Sequence, residues 1–158
     1  MGCQSQSVTG GNFVRLEYFD LHGRALYIRM ILWYAGVSHE DKRLSFEEFG
    51  AKKAAGEYIF GSLPVLTLPS GIQLNQSNSI ARYIARVYRG QCNEVLYPGK
   101  LFPEMSYELD NLLEESAEFL NKCNKIGPFD PNAEKNIPAF LNEDFDQYCA
   151  SIENHLVS

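Results

Sequence analysis

The most informative part of the sequence is LPVLTLPSGIQLNQSNSIARYI, residues 63–84. The apolar run after Pro64 predicts a strand over 65–68, because a missing N–H is tolerated where a strand begins. A Ser-Gly turn follows, and residues 72–74 return as an antiparallel partner strand. The next apolar residues recur every three or four positions, which predicts a helix over 79–89 that ends at a glycine.

The chain before this stretch predicts a strand, a helix and a second, short strand. Alternating residues predict the first strand over 13–19, with Arg15 and Glu17 on its polar face. A glycine-containing turn follows, and the 3–4 spacing of apolar residues predicts a helix over 24–35. The short strand is predicted over 42–45.

Residues 46–62 have mixed character, and they predict irregular chain with one helical turn over 51–55. The order of elements is then β-α-β followed by β-β-α, which is the thioredoxin arrangement. The sequence therefore predicts an α/β, thioredoxin-like domain (βαβ-ββα) over residues 13–92.

Changes in composition predict further segments on either side of this domain. Residues 1–12 are small and polar, which predicts a disordered tail, and residues 93–102 are typical of a linker. Residues 103–158 predict two amphipathic helices, over 104–123 and 138–155, with a loop between them. Two helices cannot enclose a core alone, so this segment is predicted to be a partial all-α domain.

Charge is divided unevenly along the chain. Residues 1–98 carry 10 basic and 8 acidic side chains and residues 99–158 carry 4 and 12, which gives the net charge of −6. The acidic half argues against nucleic-acid binding, because phosphate contacts need clustered Lys and Arg. The first part is the better host for an anionic ligand.

Cysteine spacing and hydropathy indicate the cellular compartment in which the protein is expected. The four cysteines form no C-x-x-C pair, which argues against a dithiol redox centre and against a zinc site. We find neither an apolar run near the roughly 20 residues of a transmembrane segment nor a signal peptide. We therefore expect a cytoplasmic protein with reduced thiols. Gly2 resembles an acylation site, but that motif expects Ser or Thr where Gln6 stands, so a loose tail is favoured.

Three motifs occur in order along the chain. They are Tyr18-Phe19-x-x-x-Gly23-Arg24-Ala25, Leu63-Pro64-Val65-Leu66 and Gln76-Ser77-Asn78-Ser79-Ile80-Ala81-Arg82-Tyr83. Together they resemble the tyrosine-type glutathione S-transferases, most closely the pi and sigma classes, and the likeness extends from residue 13 to about residue 156. The resemblance implies a homodimer that conjugates glutathione, its co-substrate, to small electrophiles without a metal or other cofactor.

Tyr18 is the candidate catalytic residue. It ends the inward-facing set of the first strand, so its hydroxyl can reach the C-terminal edge of the sheet. A free thiol has a pKa of about 8.5, and a hydrogen bond donated to the sulfur lowers that pKa by favouring the thiolate. The strand pattern alone favours a core tyrosine with a satisfied hydroxyl, whereas the resemblance implies the thiolate-stabilising role.

Leu63, Pro64, Gln76 and Ser77 are candidate glutathione contacts. The resemblance implies a cis bond before Pro64 that turns the Leu63 backbone towards the cysteinyl part of glutathione, like an added strand; the alternative is a simple strand entry. The helix start at Gln76 and Ser77 suits the γ-glutamyl carboxylate. The alternative for Ser77 is that it caps the helix.

Other site positions depart from the family pattern or are less specific. Phe49 stands where the family has a Trp that bonds the glycyl carboxylate, and Phe has no N–H. Lys52 or Lys53 could supply a cation instead, the alternative being exposed loop charge. Ser62 replaces a Gln, Lys or Arg, so weaker glutathione binding is expected. Arg24 is implied to support the site electrostatically; its alternative is a solvated or salt-bridged side chain.

Phe60 and Glu118 are candidate dimer residues. Phe60 matches the aromatic key that some classes insert into the partner subunit, and helices within 78–118 are expected to complete the interface; the alternative is loop packing. Glu118 falls where the family carries an acid that reaches across the dimer to the glutathione amine. Its alternative is a solvated helix face.

The family's helical domain contains further helices and a Ser/Thr-x-x-Asp capping box that have no counterpart before Ser158. Because that domain walls the electrophile pocket, we expect an incomplete electrophile site. The alternative function is therefore a non-catalytic glutathione-binding or structural interaction protein.

Overall fold

The structure is a computed structural model that describes residues 13–90 and 94–157. The predicted tail 1–12 and the predicted boundary at residues 92 and 93 lie outside the described residues. The chain divides after Glu108 into two compact units. Within the described ranges, no helix is both long enough and apolar enough to cross a membrane.

The first unit is built around a four-stranded sheet. Its elements are β1 (Val14–Phe19), a 3-10 turn (Gly23–Ala25), α1 (Leu26–Tyr34), β2 (His39–Leu44), α2 (Phe46–Ala54), β3 (Val65–Thr67), β4 (Gln73–Asn75) and α3 (Ser77–Val87). The strand order is β2-β1-β3-β4, with β1 parallel to β2 and the other two pairs antiparallel. The predicted thioredoxin-like arrangement is confirmed.

The main core lies on one face of this sheet. Helices α1 and α3 pack against each other there, and Val14, Leu16 and Tyr18 of β1 alternate towards them. The other buried members of this core are Ala25, Ile28, Leu32, Leu66, Ile80 and Ile84. The alternation therefore carries Tyr18 into the layer shared by both helices.

The prediction of irregular chain over 46–62 is wrong, because α2 occupies its first half. Helix α2 begins with a capping box: the Glu48 N–H donates to Ser45 Oγ at 3.1 Å, and the Ser45 N–H donates to Glu48 Oε2 at 2.7 Å. The backbone hydrogen bond from Ser45 lowers the pKa of Glu48. The sequence does contain this signal, as Ser-x-x-Glu followed by lysines in the last turn.

Glu17 is a second correction. The alternation of β1 correctly places Glu17 on the face opposite Tyr18, but the polar character of that face gives no sign that Glu17 is only 5% exposed. The reason is a second layer on this face of the sheet, formed by α2 and the loop after it. Its members are Leu44, Tyr58 and Val65, with Phe49 and Leu63 packed against them. The overlooked helix thus explains why an acidic residue on this face of β1 is buried.

Several element boundaries also differ from the predictions, among them the starts of α3 and β2. Helix α3 begins at Ser77, two residues early, because Gln76 has a φ of +66° and its carbonyl accepts the Ile80 N–H. Strand β2 begins at His39, three residues early, because it pairs in parallel with the whole of β1.

The second unit is helical, and aromatic contacts hold it together. Helix α4 (Pro103–Asn124) begins in the first unit and is followed by α5 (Ala133–Ala139), a π-helical turn (Phe140–Asp144) and α6 (Phe145–Val157). The Phe119 ring of α4 stacks on Tyr148 with 3.9 Å between centroids. The same ring lies 5.7 Å from Phe140 and 6.2 Å from Phe145.

The helix predicted over 138–155 starts too late. Proline favours the first helical turn, so the sequence indicates Pro138 as the start. In the structure the helix begins at Ala133 and contains Pro138, which has no N–H to donate within it. The π-helical turn follows directly, so the hydrogen-bond register changes just after the proline.

We expect Ser45→Ala to destabilise the first unit, because the Glu48 N–H loses its side-chain acceptor. Loss of such a cap costs about 1 kcal/mol. Urea unfolding followed by the fluorescence of Trp33, the one tryptophan of the sequence, measures the change in this unit. Ser45→Asp keeps a capping oxygen and should unfold like the wild type. Equal stability of the Ala and Asp variants would contradict a role for the cap.

Candidate functional site

Three separate parts of the sequence meet at one edge of the sheet. The first residue of β3 pairs with Glu17 of β1 and with Asn75, the last residue of β4. The neighbouring positions are Tyr18 on β1, Pro64 before β3 and Gln76 after β4. Strand register therefore brings the three sequence motifs together.

Tyr18 places its hydroxyl at the turn between β1 and α1. The side chain is 7% exposed, and its oxygen accepts the backbone N–H of Arg24 at 3.2 Å. A tyrosine hydroxyl that accepts one hydrogen bond can still donate its own proton. The geometry therefore fits a donor directed at a ligand atom near this turn. Arg24 itself is half-buried at the start of the helical segment.

Gly23 shapes the turn around that hydroxyl. Its φ is +38°, which disfavours other residues, and an added Cβ would lie 2.7 Å from both the Tyr18 hydroxyl oxygen and Leu21 Cδ1. A side chain at this position would have to displace the hydroxyl. The glycine is therefore required by backbone conformation and by space.

Arg29 holds the same turn from α1. Its Nη1 donates to the Leu21 carbonyl at 2.8 Å, and its Nε donates to Asp41 Oδ1 at 3.1 Å. Its guanidinium lies 5.8 Å from the centre of the Tyr18 ring, and Asp41 also pairs with Arg43 at 3.0 Å. Sequence reasoning missed Arg29, because only the fold brings it to its partner on β2.

The segment before β3 has the expected backbone form. The Leu63–Pro64 peptide bond is cis, as the resemblance implies. Pro64 is buried, Leu63 is half-buried and Ser62 is exposed. Leu63 packs against both hydrophobic layers, so its backbone is held firmly at the edge of the sheet.

Gln76 and Ser77 form the entry to α3. Gln76 is exposed and has φ +66° and ψ 112°, an uncommon conformation for a residue other than glycine. Such conformations often occur at functional sites. Ser77 is buried as the first residue of α3 rather than its N-cap. The helix start therefore directs backbone N–H groups towards the same edge.

Helix α2 distinguishes the two candidate lysines. Lys52 Nζ pairs with Glu17 at 3.2 Å and with Glu57 at 2.8 Å. Lys53 is exposed, its Nζ lies 5.8 Å from the centre of the Phe49 ring, and its stem lies beside Gly61. Lys53 is therefore the candidate cation near the 62–63 segment, whereas Lys52 is already paired with two carboxylates.

Phe49 has a packing role in α2. It is half-buried, contacts Phe19 edge-on with 5.3 Å between ring centroids, and stacks on Tyr58 at 5.9 Å. These contacts attach α2 to the end of β1.

The two predicted dimer residues are both exposed. Phe60 is 65% exposed and borders a groove of about 450 Å³ between the loop before β3, β4 and α3. Glu118 lies on α4 in the second unit, where it lines another groove with Asn111 and His155.

In a comparison with known proteins, residues 14–86 match the family model of the glutathione S-transferase N-terminal domain. The protein named "Probable glutathione S-transferase 8" of Caenorhabditis elegans is 45% identical over 80 residues, covering 49% of this chain and 37% of that protein. "Glutathione S-transferase 2" of the same organism is 34% identical over 106 residues, covering 67% of this chain and 50% of that protein. A crystal structure of a nematode-specific glutathione S-transferase of Caenorhabditis elegans gives a TM-score of 0.72 at 27% identity, covering 90% of this chain and 67% of that one.

The chain spans half or less of the length of these two curated relatives. The matched range runs from β1 into α3, so it contains Tyr18, the Leu63–Pro64 segment and the start of α3. The fold, the three motifs and the comparisons agree over this range. Residues 14–86 of this chain therefore form a glutathione S-transferase N-terminal domain.

Proposed function

We propose that this chain binds reduced glutathione and transfers it to small electrophiles, with Tyr18 stabilising the glutathione thiolate. The main support is the position of the Tyr18 hydroxyl, which accepts the Arg24 N–H at 3.2 Å beside Gly23. The Leu63–Pro64 segment and the start of α3 adjoin the same edge of the sheet. The names of the relatives support the same class of reaction.

The proposed chemistry needs a donor at the sulfur and nothing more from the protein. A hydrogen bond from Tyr18 favours the thiolate over the thiol, whose ordinary pKa is about 8.5. The Arg24 N–H polarises the Tyr18 oxygen, and hydrogen bonds in series strengthen each other. The thiol proton leaves to solvent, the sulfur attacks the electrophilic carbon, and the leaving group departs with its electron pair. Glutathione is a co-substrate, and no metal or other cofactor is proposed.

The remainder of glutathione has three proposed contacts. The Leu63 backbone would pair with the cysteinyl residue as an added strand does. Gln76, Ser77 and the N–H groups that open α3 would hold the γ-glutamyl carboxylate. Lys53 would hold the glycyl carboxylate, because Lys52 is already paired with two carboxylates.

We also propose a homodimer that forms around Phe60. The groove beside Phe60 is lined by Gln73 and Asn75. An exposed aromatic ring at the rim of an open groove suits a partner surface that offers an apolar pocket. Glu118 and the helices within 78–118 are proposed for the same interface.

A cytoplasmic location and a role in detoxification are proposed together with this activity. Cys123 and Cys149 are free thiols, which is usual in a reducing compartment. Electrophiles of the proposed class damage such thiols, and conjugation to glutathione would remove these electrophiles.

We expect Tyr18→Phe to lower kcat/KM for conjugation of an aryl halide at pH 7, because the sulfur loses its donor. A hydrogen bond to a charged group contributes about 1.5–3 kcal/mol, which corresponds to about a tenfold to hundredfold loss of rate. The pH–rate profile should move up towards the thiol pKa of about 8.5. Tyr107→Phe alters an exposed tyrosine and should leave the rate unchanged. Equal rates for wild type and Tyr18→Phe would remove Tyr18 from the mechanism.

The non-catalytic alternative has its own test. If calorimetry shows that the wild type binds glutathione but kinetics show no turnover, the non-catalytic alternative is favoured.

We expect Lys53→Met to raise the KM for glutathione about threefold to fivefold, because an exposed ion pair contributes up to about 1 kcal/mol. Steady-state kinetics with varied glutathione measure this change. Lys42→Met removes an exposed lysine of β2 and is the matched control. An unchanged KM in the Lys53 variant would exclude it as the carboxylate ligand.

We expect Phe60→Ala to weaken self-association at least about tenfold, because buried aromatic anchors dominate interface energies. Sedimentation equilibrium measures the dissociation constant. Phe129→Ala truncates another exposed phenylalanine outside the proposed interface and should have no effect. Identical association of the three proteins would contradict the proposed interface.

A further inference from the structure

Glu17 is a buried acid at the centre of the sheet, one residue before Tyr18 and on the opposite face. It is 5% exposed, and β1, its strand, lies between β2 and β3. A carboxylate in such a place is costly unless it is paired and hydrogen-bonded. The partners of Glu17 therefore indicate what the residue is for.

Both partners come from the layer formed by α2 and the loop after it. Lys52 Nζ lies 3.2 Å from Glu17 Oε1, and the Tyr58 hydroxyl donates to the same oxygen at 3.5 Å. Burial, with a further contribution from the charge of Glu17, raises the pKa of Tyr58 to about 12, so the phenol remains a donor. The hydrogen bond from Lys52 to Glu57, together with the contact to Glu17, raises the pKa of Lys52. Glu17 thus anchors α2 to β1 by a charged pair.

This anchor has a consequence for the next residue of α2. Consecutive residues of a helix point about 100° apart, so fixing Lys52 against the sheet also fixes the direction of Lys53. Lys53 Nζ lies 5.8 Å from the centre of the Phe49 ring, and its stem lies beside Gly61, the residue before the exposed Ser62. The two adjacent lysines therefore have separate roles, one structural and one available to an anion.

We propose that Glu17 is a positioning residue for the carboxylate at the glycyl end of glutathione: by holding Lys52 in the sheet layer, it presents Lys53 alone to that carboxylate. This inference rests on the proposed function. It predicts that Glu17 affects the recognition of one carboxylate and not the binding of glutathione as a whole.

The test is calorimetric binding of glutathione and of its glycinamide analogue, γ-glutamylcysteinylglycinamide, which lacks that carboxylate. In the wild type we expect glutathione to bind about threefold to fivefold more tightly than the glycinamide, as an exposed ion pair allows. Glu17→Gln should bring this ratio close to one by weakening glutathione, with the affinity for the glycinamide unchanged. In a Lys53→Met background, Glu17→Gln should produce no further change, because both act through the same contact.

Two further variants keep the test decisive. Glu40→Gln breaks the exposed pair with Arg15 and should retain the wild-type ratio. Should Glu17→Gln fail to fold, Glu17→Gln combined with Lys52→Gln removes both charges of the pair and leaves no unpaired buried charge. This double variant is expected to lose the ratio in the same way, because no ion pair then holds α2 to β1.

The outcomes separate this inference from the proposed function. A wild type that does not bind glutathione overturns both. Suppose instead that the wild type binds both ligands and that the Glu17 variants keep its preference for glutathione over the glycinamide. That result overturns the positioning role alone. Equal losses for glutathione and the glycinamide also overturn it, because they indicate general damage to the domain.

Discussion

The register between β1, β3 and β4 is the constraint on which the rest of the first unit depends. A shift of β3 by one residue would exchange its two faces, and it would carry the Leu63–Pro64 segment away from Tyr18. Burial on both sides prevents that shift, because Leu66 belongs to the main core and Val65 to the layer under α2. Strands of only three residues can therefore hold the site in place.

This dependence on two buried faces explains how much of the fold the sequence predicts. Strand β1 and helices α1 and α3 bury a whole face or stripe, so apolar periodicity finds them. Helix α2 is different, because a Ser45–Glu48 cap and charges at both ends stabilise it. A search for an apolar stripe overlooks such a helix. The burial of Glu17 is missed for the same reason, because alternation gives the face of the strand but not the helix that covers that face.

The candidate site likewise contains residues that the sequence identifies and residues that only the fold identifies. Tyr18 with Gly23, and Leu63 with Pro64, are local patterns, so short motifs are enough to find them. Lys52 and Lys53 are equivalent in the sequence, and only contacts with Glu17 and Gly61 distinguish them. Tertiary contacts of this kind leave no periodic or local signal in the sequence. They depend on the register of β1 and on the presence of α2.

The Glu17–Lys52 pair also bears on the proposed thiolate. Glu17 directly precedes Tyr18, and a bare carboxylate so near would raise the pKa of a thiol bound at the Tyr18 hydroxyl. Lys52 compensates that charge at 3.2 Å, and the neutral Tyr58 adds a hydrogen bond rather than a charge. The sheet can hold an acid beside Tyr18 only as one half of an ion pair. The opposite charges of Glu17 and Lys52 therefore offset each other beside the proposed thiolate, and the Tyr18 hydroxyl remains the donor proposed to stabilise it.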